Sequence, residues 1–270
     1  MCTTCGCSDG ARVTVTDPDA GHAHPHDHES GHAHVHTHGR TQLVDARPAG
    51  RTVLLEQGVL AKNNLLAERN RDWLEGRGIL ALNLTSSPGA GKTTLLERTI
   101  RDLGARLPLS VIEGDQETTR DAERIRAAGC RVVQVNTGSG CHLDADMLAR
   151  SLRALDPPNR SLLMIENVGN LVCPALFDLG ERSKVVIMSV TEGEDKPLKY
   201  PHMFRASEVM ILNKVDLLPH LQFDVDKCLG YARQVHPELR LFQLSATRGD
   251  GLADWYGWLE SQMAQLPAYA

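Results

Sequence analysis

The fold of this chain is decided by Thr85-Ser86-Ser87-Pro88-Gly89-Ala90-Gly91-Lys92-Thr93-Thr94. These residues follow the apolar run 79–84 and precede a helix-like run at 95–107. A glycine-rich turn that connects a strand to a helix and ends in Gly-Lys-Thr is typical of a phosphate-binding loop. The helix N-terminus and the Lys92 ammonium then contact the β and γ phosphates, and the Thr93 hydroxyl binds Mg²⁺. The predicted phosphate contacts are Pro88, Gly89, Ala90, Gly91, Lys92, Thr93 and Thr94.

The match to the strict phosphate-loop pattern has one exception. The pattern has a glycine five residues before Gly91, where this chain has Ser86. The Pro88-Gly89 pair must therefore supply part of the turn. The alternative is a glycine-rich strand-to-helix connection that binds no ligand. The order of strand, loop, Gly-Lys-Thr and helix favours the phosphate-binding loop.

The composition is that of a protein with a large aliphatic core. The 270 residues are 41% hydrophobic but include only four Phe, four Tyr and three Trp. The formal charge of −5 provides no basic surface for nucleic acid. No apolar run reaches membrane-spanning length and the N-terminus has no apolar signal core, so we expect no membrane partner and a cytoplasmic location. In that compartment cysteines favour metal or redox chemistry over disulfides.

Short apolar runs alternate with helical patterns, which predicts an α/β fold with a doubly wound, mostly parallel sheet of the P-loop NTPase type. The seven predicted strands are 79–84, 109–112, 131–135, 162–165, 184–190, 209–212 and 240–244. The predicted helices are 95–107, 117–128, 144–155, 223–235 and 252–266, preceded by one or two amphipathic helices within 53–73. Ligands of such a sheet bind at the carboxyl ends of its strands.

The sequence divides into three segments that differ in composition. Residues 1–40 form a disordered tail rich in Cys and His, because they lack the aliphatic residues of a core. Residues 41–76 form a linker and the leading helices, and residues 77–270 form the nucleotide domain. Cys130 and Cys228 lie in apolar stretches interpreted as helical, and we expect both in the core.

Two strand ends carry residues suited to the phosphate end of a nucleotide. Asp115 follows the second strand and is placed to reach Mg²⁺ or the attacking water, the alternative being a solvated helix N-cap. Glu166 and Gly169 end the strand at 162–165, where the switch region of a nucleotide-dependent protein begins. The Gly169 N–H would contact the γ-phosphate, so the segment after it would move with the nucleotide state.

Two further strand ends predict the choice of base. In Asn213-Lys214-Val215-Asp216, the Asp216 carboxylate would accept hydrogen bonds from the guanine N1–H and 2-amino group, while Lys214 packs over the ring. Adenine lacks that pair of donors, so we expect GTP to be preferred over ATP. The Ser245-Ala246-Thr247 stretch follows the last strand and fits a loop whose backbone N–H contacts the guanine O6.

A second constellation has the residue types of a metal site. Cys141 and His142 lie in a glycine-rich loop, and Cys173 lies just downstream of the predicted switch. A metal ion held by these three side chains would be coupled to the nucleotide state, and with three ligands per chain it would suit a site shared by a two-fold dimer. The alternative is three unrelated residues, with Cys173 buried and His142 capping a helix.

The tail carries two more sets of metal-binding residues. Cys2, Cys5 and Cys7 have a spacing in which three thiolates and the α-amino group would bind Ni²⁺ or Zn²⁺. The alternatives are half of a structural zinc site or an unliganded flexible end. A ten-residue repeat then supplies His22, His24, His26, His28, His32, His34, His36 and His38. This patterned arm predicts storage of divalent ions that is lost on mild acidification, an expression tag being the alternative.

These motifs together resemble the hydrogenase nickel-incorporation GTPase family, the HypB type. The resemblance covers nearly the whole chain. Its carriers include residues 1–7, 86–94, 140–144, 166–174 and 213–216, and the longest is Thr191-Glu192-Gly193-Glu194-Asp195-Lys196-Pro197-Leu198-Lys199-Tyr200-Pro201-His202-Met203-Phe204. It implies a tight nickel site at Cys2, Cys5 and Cys7 and a weaker nickel or zinc site at Cys141, His142 and Cys173. The resemblance also implies that Lys196 contacts the γ-phosphate of the neighbouring subunit.

The same resemblance implies a slow, Mg²⁺-dependent GTPase that cycles between GTP and GDP and dimerises when GTP binds. Its cargo is Ni²⁺, delivered to the large-subunit precursor of a [NiFe]-hydrogenase together with a small nickel/zinc metallochaperone partner. We expect Lys92, Thr93, Asp115 and Lys196 to act in catalysis. Two rivals stay open: a nickel storage protein with a regulatory nucleotide domain, and a GTPase that matures another nickel enzyme such as urease.

Overall fold

The computed structural model describes the backbone at residues 13–15, 42–44 and 50–57, and the chain in full at 58–115, 120–138 and 140–266. The chain divides into two units, Met1–Gly58 and Val59–Ala270. In the first unit, strands β1 (Val13–Val15) and β2 (Gln42–Val44) pair antiparallel. The predicted cysteine and histidine sites of the tail lie outside the described residues, whereas Val13–Val15, within the tail that we predicted to be disordered, forms strand β1. The predicted division of the chain at residues 40 and 76 stays a prediction.

The second unit is built on a seven-stranded sheet whose strands all run parallel. The strands are β3 (Leu80–Ser86), β4 (Leu109–Asp115), β5 (Arg131–Asn136), β6 (Leu162–Glu166), β7 (Ser183–Ser189), β8 (Val209–Asn213) and β9 (Arg240–Gln243). Their order across the sheet is β5-β4-β6-β3-β7-β8-β9. The predicted α/β fold with a doubly wound sheet is confirmed.

Helices cover both faces of this sheet. They are α1 (Gly50–Gly76), α2 (Lys92–Leu103), α3 (Arg120–Ala127), α4 (Ala145–Leu155), α5 (Lys196–Lys199), α6 (Pro201–Ala206), α7 (Val225–Val235) and α8 (Leu252–Ala264). Two 3₁₀ helices lie at Cys173–Ala175 and Val215–His220. Among these helices, none combines the length and the apolar content that a membrane crossing requires.

Most predicted elements are present, and helices α5 and α6 are additional to the predicted ones. The leading helical pattern forms one helix, α1, of 27 residues. Cys130 and Cys228 are buried as expected, but only Cys228 lies in a helix. Cys130 lies between α3 and β5, because Gly129 adopts a positive φ of 93° that ends the helix.

The two faces of the sheet carry different cores. One face has a continuous apolar cluster in which residues of α2 and α8, such as Leu96 and Trp255, pack on alternate strand residues such as Leu82. On the opposite face two separate clusters form. The first packs α4 and the end of α1 against β4 and β6, and the second packs α6 and α7 against β7 and β8. The burial of alternate strand residues on each face follows from the two-residue period of a strand.

Candidate functional site

The carboxyl end of β3 opens into a cavity of about 490 Å³. The lining is polar and includes the loop between β3 and α2: its residues are Pro88, Gly89, Ala90, Gly91, Lys92, Thr93, Thr94, Asp115, Asp121, Arg124, Glu166, Val168, Gly169 and Lys214. Gly89 and Gly91 adopt positive φ angles of 76° and 98°, which a side chain would strain. Helix α2 begins at Lys92, so its free N–H groups point into the cavity and suit an anion.

Ser86 contributes to this loop, although the strict motif has glycine there. The Lys92 Nζ donates to Ser86 Oγ at 2.8 Å, and Ser86 Oγ in turn donates to the Ser87 carbonyl oxygen at 2.6 Å. Burial lowers the pKa of the Lys92 ammonium, and the nearby Glu166 carboxylate partly offsets that effect. The hydroxyl of Ser86 therefore holds the lysine in the cavity, a contact that the sequence pattern did not reveal.

Two carboxyl groups lie side by side beneath the loop. Glu113 of β4 and Glu166 of β6 are paired in the sheet register, and each is no more than 4% exposed. Burial raises the pKa of Glu166 to about 7; burial, followed by the charge of Glu166, raises that of Glu113 to about 8. Glu113 at this position was not among the predicted site residues.

The oxygen atoms around Thr93 fit a magnesium ion. Thr93 Oγ1 donates to Glu166 Oε1 at 2.7 Å, and Asp115 lines the same cavity. Glu166 Oε2 is buried, and within the described part of the chain it has no hydrogen-bond partner. A buried carboxylate oxygen in that position favours a bound cation or an ordered water molecule, and Mg²⁺ prefers oxygen ligands of this kind.

Asn213 connects the two predicted base-binding motifs with the phosphate loop. Its Nδ2 donates to the Ala90 carbonyl oxygen at 2.9 Å, and its Oδ1 accepts from the N–H groups of Lys214 and Ala246 at 2.8 and 3.1 Å. Lys214 Nζ donates to the Gly89 carbonyl oxygen at 2.8 Å. The predicted residues Asp216, which is half-buried, Ser245, which is buried, and Thr247, which is exposed, flank this junction.

Lys196 lies at the start of α5, and its ammonium contacts the phosphate loop of its own chain. Its Nζ donates to Ser87 Oγ and forms an ion pair with Glu192. The side chains of Lys196 and Glu192 are 14% and 15% exposed, so the pair is largely shielded from water. The predicted contact with a neighbouring subunit stays a prediction.

Three predicted metal ligands come together at one place. Cys141 Sγ lies 2.9 Å from Cys173 Sγ and 3.6 Å from His142 Nδ1, and the ligand atoms of all three lie within 4.8 Å of one another. The His142 ring packs on Phe177 with ring centroids 3.9 Å apart, and burial lowers the pKa of the imidazole. Two thiols and a neutral imidazole are donors that suit Ni²⁺ or Zn²⁺.

The other two described cysteines have a different environment. Burial raises the pKa of the Cys130 and Cys228 thiols to about 12, so both stay protonated at neutral pH. Neither thiol lies in a group of three or more potential metal ligands among the described residues. Among the described cysteines, Cys141 and Cys173 are the two that lie in a group able to hold a metal ion.

One short segment joins the phosphate loop to this cluster. Gly169 packs so closely against Pro88 that a Cβ on it would lie 3.1 Å from Pro88 Cγ. Asn170 Nδ2 then donates to the Cys141 carbonyl oxygen at 3.1 Å, and the segment ends at Cys173. The residue that packs on Pro88 is thus separated from Cys173 by the backbone of residues 170–172, and Asn170 links the same segment to Cys141.

Known proteins share both the sequence and the fold. Residues 80–243 match the family described as CobW/HypB/UreG, nucleotide-binding domain. The hydrogenase maturation factor HypB of Escherichia coli strain K12 is 59% identical to this chain over 212 residues, covering 78% of this chain and 73% of that protein.

Two solved structures have the same fold over most of the chain. The hydrogenase maturation factor HypB from Archaeoglobus fulgidus superposes with a TM-score of 0.71 and 38% identity, covering 75% of this chain and 99% of that one. The HypB from Helicobacter pylori in complex with nickel gives a TM-score of 0.70 and 36% identity, covering 77% of this chain and 99% of that one.

Proposed function

The chain belongs to the HypB hydrogenase maturation factors of the CobW/HypB/UreG family, and from this premise we propose that it is a GTP-hydrolysing nickel metallochaperone. Its cargo is Ni²⁺, which it delivers to the large-subunit precursor of a [NiFe]-hydrogenase. The nickel in the related Helicobacter pylori structure supports the choice of metal.

The observation that carries this proposal is the connection between two sites by one segment, 166–173. At its start Glu166 accepts a 2.7 Å hydrogen bond from Thr93 in the phosphate loop, and at its end the Cys173 sulfur lies 2.9 Å from that of Cys141. A ligand that changes the conformation of one end changes the free energy of binding at the other. Nucleotide hydrolysis is then the step that changes the affinity of the cluster for nickel.

The residues of the phosphate loop have separate roles in hydrolysis. Lys92 and the backbone N–H groups of the loop stabilise the negative charge that develops on the γ-phosphate and its leaving group. Thr93 and Asp115 would hold Mg²⁺, which would neutralise negative charge on the phosphates. Asp216 selects guanine, and Lys196 reaches the γ-phosphate of a second subunit after leaving Glu192.

The cluster of Cys141, His142 and Cys173 receives Ni²⁺ or Zn²⁺ and is placed for sharing between two subunits. Val172 and Leu176, on either side of the Cys173 loop, are 43% and 38% exposed although both are apolar. Exposed apolar side chains next to an incomplete metal site favour a GTP-dependent homodimer that covers them. The partner that supplies or receives the ion is a small nickel/zinc metallochaperone of the maturation system.

The test measures nickel affinity at this cluster in three nucleotide states. Ni²⁺ is titrated into the full chain carrying Cys2→Ser, Cys5→Ser and Cys7→Ser while thiolate-to-nickel charge-transfer absorption is followed, with no nucleotide, with GDP and with a non-hydrolysable GTP analogue. We expect the dissociation constant to differ at least fivefold between the GDP and analogue forms, a typical coupling between two sites. Lys92→Ala is the matched variant, and it should abolish both GTP turnover and this difference.

Identical nickel dissociation constants in all three states would overturn the proposal and favour a storage protein. Normal GTP turnover by Lys92→Ala would also overturn it. Cys141→Ser and Cys173→Ser assign the absorption to the cluster, because each removes one thiolate and leaves the tail unchanged.

A further inference from the structure

A line of buried polar residues crosses the face of the sheet that carries two separate apolar clusters. Asn83, Asn167, Glu181 and Lys184 are 0%, 2%, 8% and 7% exposed. Polar groups cost free energy in such surroundings unless each is hydrogen-bonded. We refer to these four residues as the polar seam.

At one end the polar seam contacts both the switch segment and the loop of the first thiol. Asn167 Oδ1 accepts from the N–H groups of Val168 at 3.0 Å and Leu143 at 3.2 Å. Leu143 directly follows His142, and Val168 precedes the switch glycine. The Asn167 Nδ2 then donates to Asn83 Oδ1 at 3.2 Å.

At the other end the polar seam holds the loop of the second thiol. Asn83 Nδ2 donates to Glu181 Oε1 at 3.0 Å, and the same oxygen lies 3.6 Å from Lys184 Nζ. Lys184 Nζ donates to the carbonyl oxygens of Pro174 at 2.7 Å and Phe177 at 3.1 Å. Pro174 follows Cys173, and the Phe177 ring packs on His142.

Helix α1 holds the same two loops from the other side. Asn63 Oδ1 accepts from the Ala145 N–H at 2.9 Å while its Nδ2 donates to the Asp178 carbonyl oxygen at 2.7 Å. Asn70 Nδ2 donates to the carbonyl oxygens of Ala145 and Leu179. The loops are therefore fixed at their far ends, which leaves the segments near the thiols to respond to the polar seam.

We propose that the polar seam positions the ligands of the metal cluster and transmits the state of the switch segment to them. The inference rests on the proposed function and adds the route by which the two sites are coupled. Asn167 is adjacent to Glu166, so a shift of the switch must break buried hydrogen bonds or move Asn83, Glu181 and Lys184 with it. Breaking them leaves polar atoms unpaired in the core, so the joint movement costs less free energy.

Lys184 is thus a positioning residue that acts through the Pro174 and Phe177 carbonyl groups. Outer contacts that orient metal ligands commonly change metal affinity by about 10- to 100-fold when they are removed. A network that only stabilised the fold would lower the free energy of unfolding without changing how metal affinity depends on nucleotide. The dependence of nickel affinity on the bound nucleotide therefore distinguishes a positioning role from a purely structural one.

The test uses the full chain carrying Cys2→Ser, Cys5→Ser and Cys7→Ser, so that charge-transfer absorption reports the Cys141 and Cys173 thiolates. Nickel dissociation constants are measured with GDP and with a non-hydrolysable GTP analogue. Equal constants in this reference protein would overturn the proposed function itself. A difference between them establishes the baseline for the polar-seam variants.

Asn83→Leu removes the two hydrogen bonds in the middle of the polar seam, those with Asn167 and Glu181, and leaves the bonds of Asn167 and Lys184 to the two loops in place. We expect the ratio of the two dissociation constants to fall to within twofold of unity, with the GDP-state constant changed less than threefold. An unchanged ratio would overturn the inference and leave the proposed function standing. Should Asn83→Leu fail to fold, Asn83→Ala is measured in its place.

Glu181→Gln combined with Lys184→Met removes the clamp on the second loop while leaving no buried charge unpaired. We expect nickel affinity to weaken at least tenfold in both nucleotide states, and Lys184→Arg to retain most of it. Affinity within twofold of the reference would overturn the positioning role. Ser110→Ala, a buried hydroxyl with no partner among the described residues, is the control and should leave both constants unchanged.

Discussion

The Asn213 side chain donates a 2.9 Å hydrogen bond to the Ala90 carbonyl oxygen, and these residues lie 123 positions apart in the sequence. The approach is so close that a Cβ on Gly91 would lie 2.5 Å from Asn213 Nδ2. The last residue of β8 therefore fixes the backbone of the phosphate loop. The predicted base-recognition motif and the predicted phosphate loop share one buried amide.

Asn213→Ala should weaken both the fold and nucleotide binding. The change leaves the Ala90 carbonyl and the Lys214 and Ala246 N–H groups without this partner, and an unsatisfied buried group costs about 1–3 kcal/mol. We expect a loss of about 2–4 kcal/mol in the free energy of unfolding, measured with urea. Asn136→Ala, which removes one exposed hydrogen bond to Gly138, is the control and should cost less than about 1 kcal/mol.

Asp216→Asn should change the preferred base. The carboxylate matches the two donors of guanine, whereas an amide at that position matches the 2-oxo group of xanthine. We expect kcat/KM to fall at least about 100-fold for GTP and to rise for xanthosine triphosphate, because a buried polar site rejects a base that leaves its groups unpaired. Asp224→Asn changes only a helix cap of α7, and its base preference should match that of the wild type.

Glu113→Gln should change how stability depends on pH in the nucleotide-free, metal-free protein. The folded-state pKa of Glu113 is raised from 4.5 to about 8, so the folded protein binds its proton more tightly than the unfolded chain does. The stability that the folded protein gains by binding this proton is fully present below pH 4.5, and it is lost as the pH rises through about 8.

The Glu113→Gln variant does not lose this stability as the pH rises, because glutamine does not titrate. Relative to the wild type, it should gain at least about 1 kcal/mol in unfolding free energy between pH 5 and pH 9, because one pKa unit corresponds to about 1.4 kcal/mol. Urea denaturation at both pH values measures the gain. Glu68→Gln on the exposed side of α1 should track the wild type, and equal slopes for all three proteins would contradict a buried titrating Glu113.

Deletion of residues 21–38 should lower the number of nickel ions bound without lowering GTP turnover. The eight histidines in this segment supply independent imidazole ligands, while the phosphate loop lies more than 40 residues downstream. Equilibrium dialysis measures the metal content and phosphate release measures turnover. A fall in turnover would show that the arm acts in catalysis and contradict its role as a store.

The sequence predicts all seven strands of the sheet and the family resemblance, and both are confirmed by the fold and by the related proteins. The predicted strands end at their last apolar residue, as at Ile112 and Ile165. The observed strands β4 and β6 continue to Asp115 and Glu166 because backbone hydrogen bonds, and not side-chain polarity, set where strand pairing stops. Glu113 is thereby inside the sheet and not in a loop.

The contacts between distant segments are what the sequence could not predict. The residue types and motifs led to the hypothesis that Cys141, His142 and Cys173 form one metal site. No sequence periodicity, however, predicts the hydrogen bond between Lys184 and the Pro174 carbonyl group. A signal did exist for one member of the polar seam. Asn83 interrupts an otherwise apolar strand, and a buried amide in a central strand requires partners on the neighbouring elements.

The split core on one face of the sheet has a consequence for how this chain diverges among its relatives. We expect substitutions that change side-chain volume around Leu148 to be compensated within the cluster of α4, and those around Met203 within the cluster of α6 and α7. The two halves of that face are free to drift apart in sequence. The polar seam is constrained differently, because replacing one of its residues leaves a hydrogen-bonding group of the next residue without its partner. We therefore expect its four members to be inherited together: Asn83, Asn167, Glu181 and Lys184.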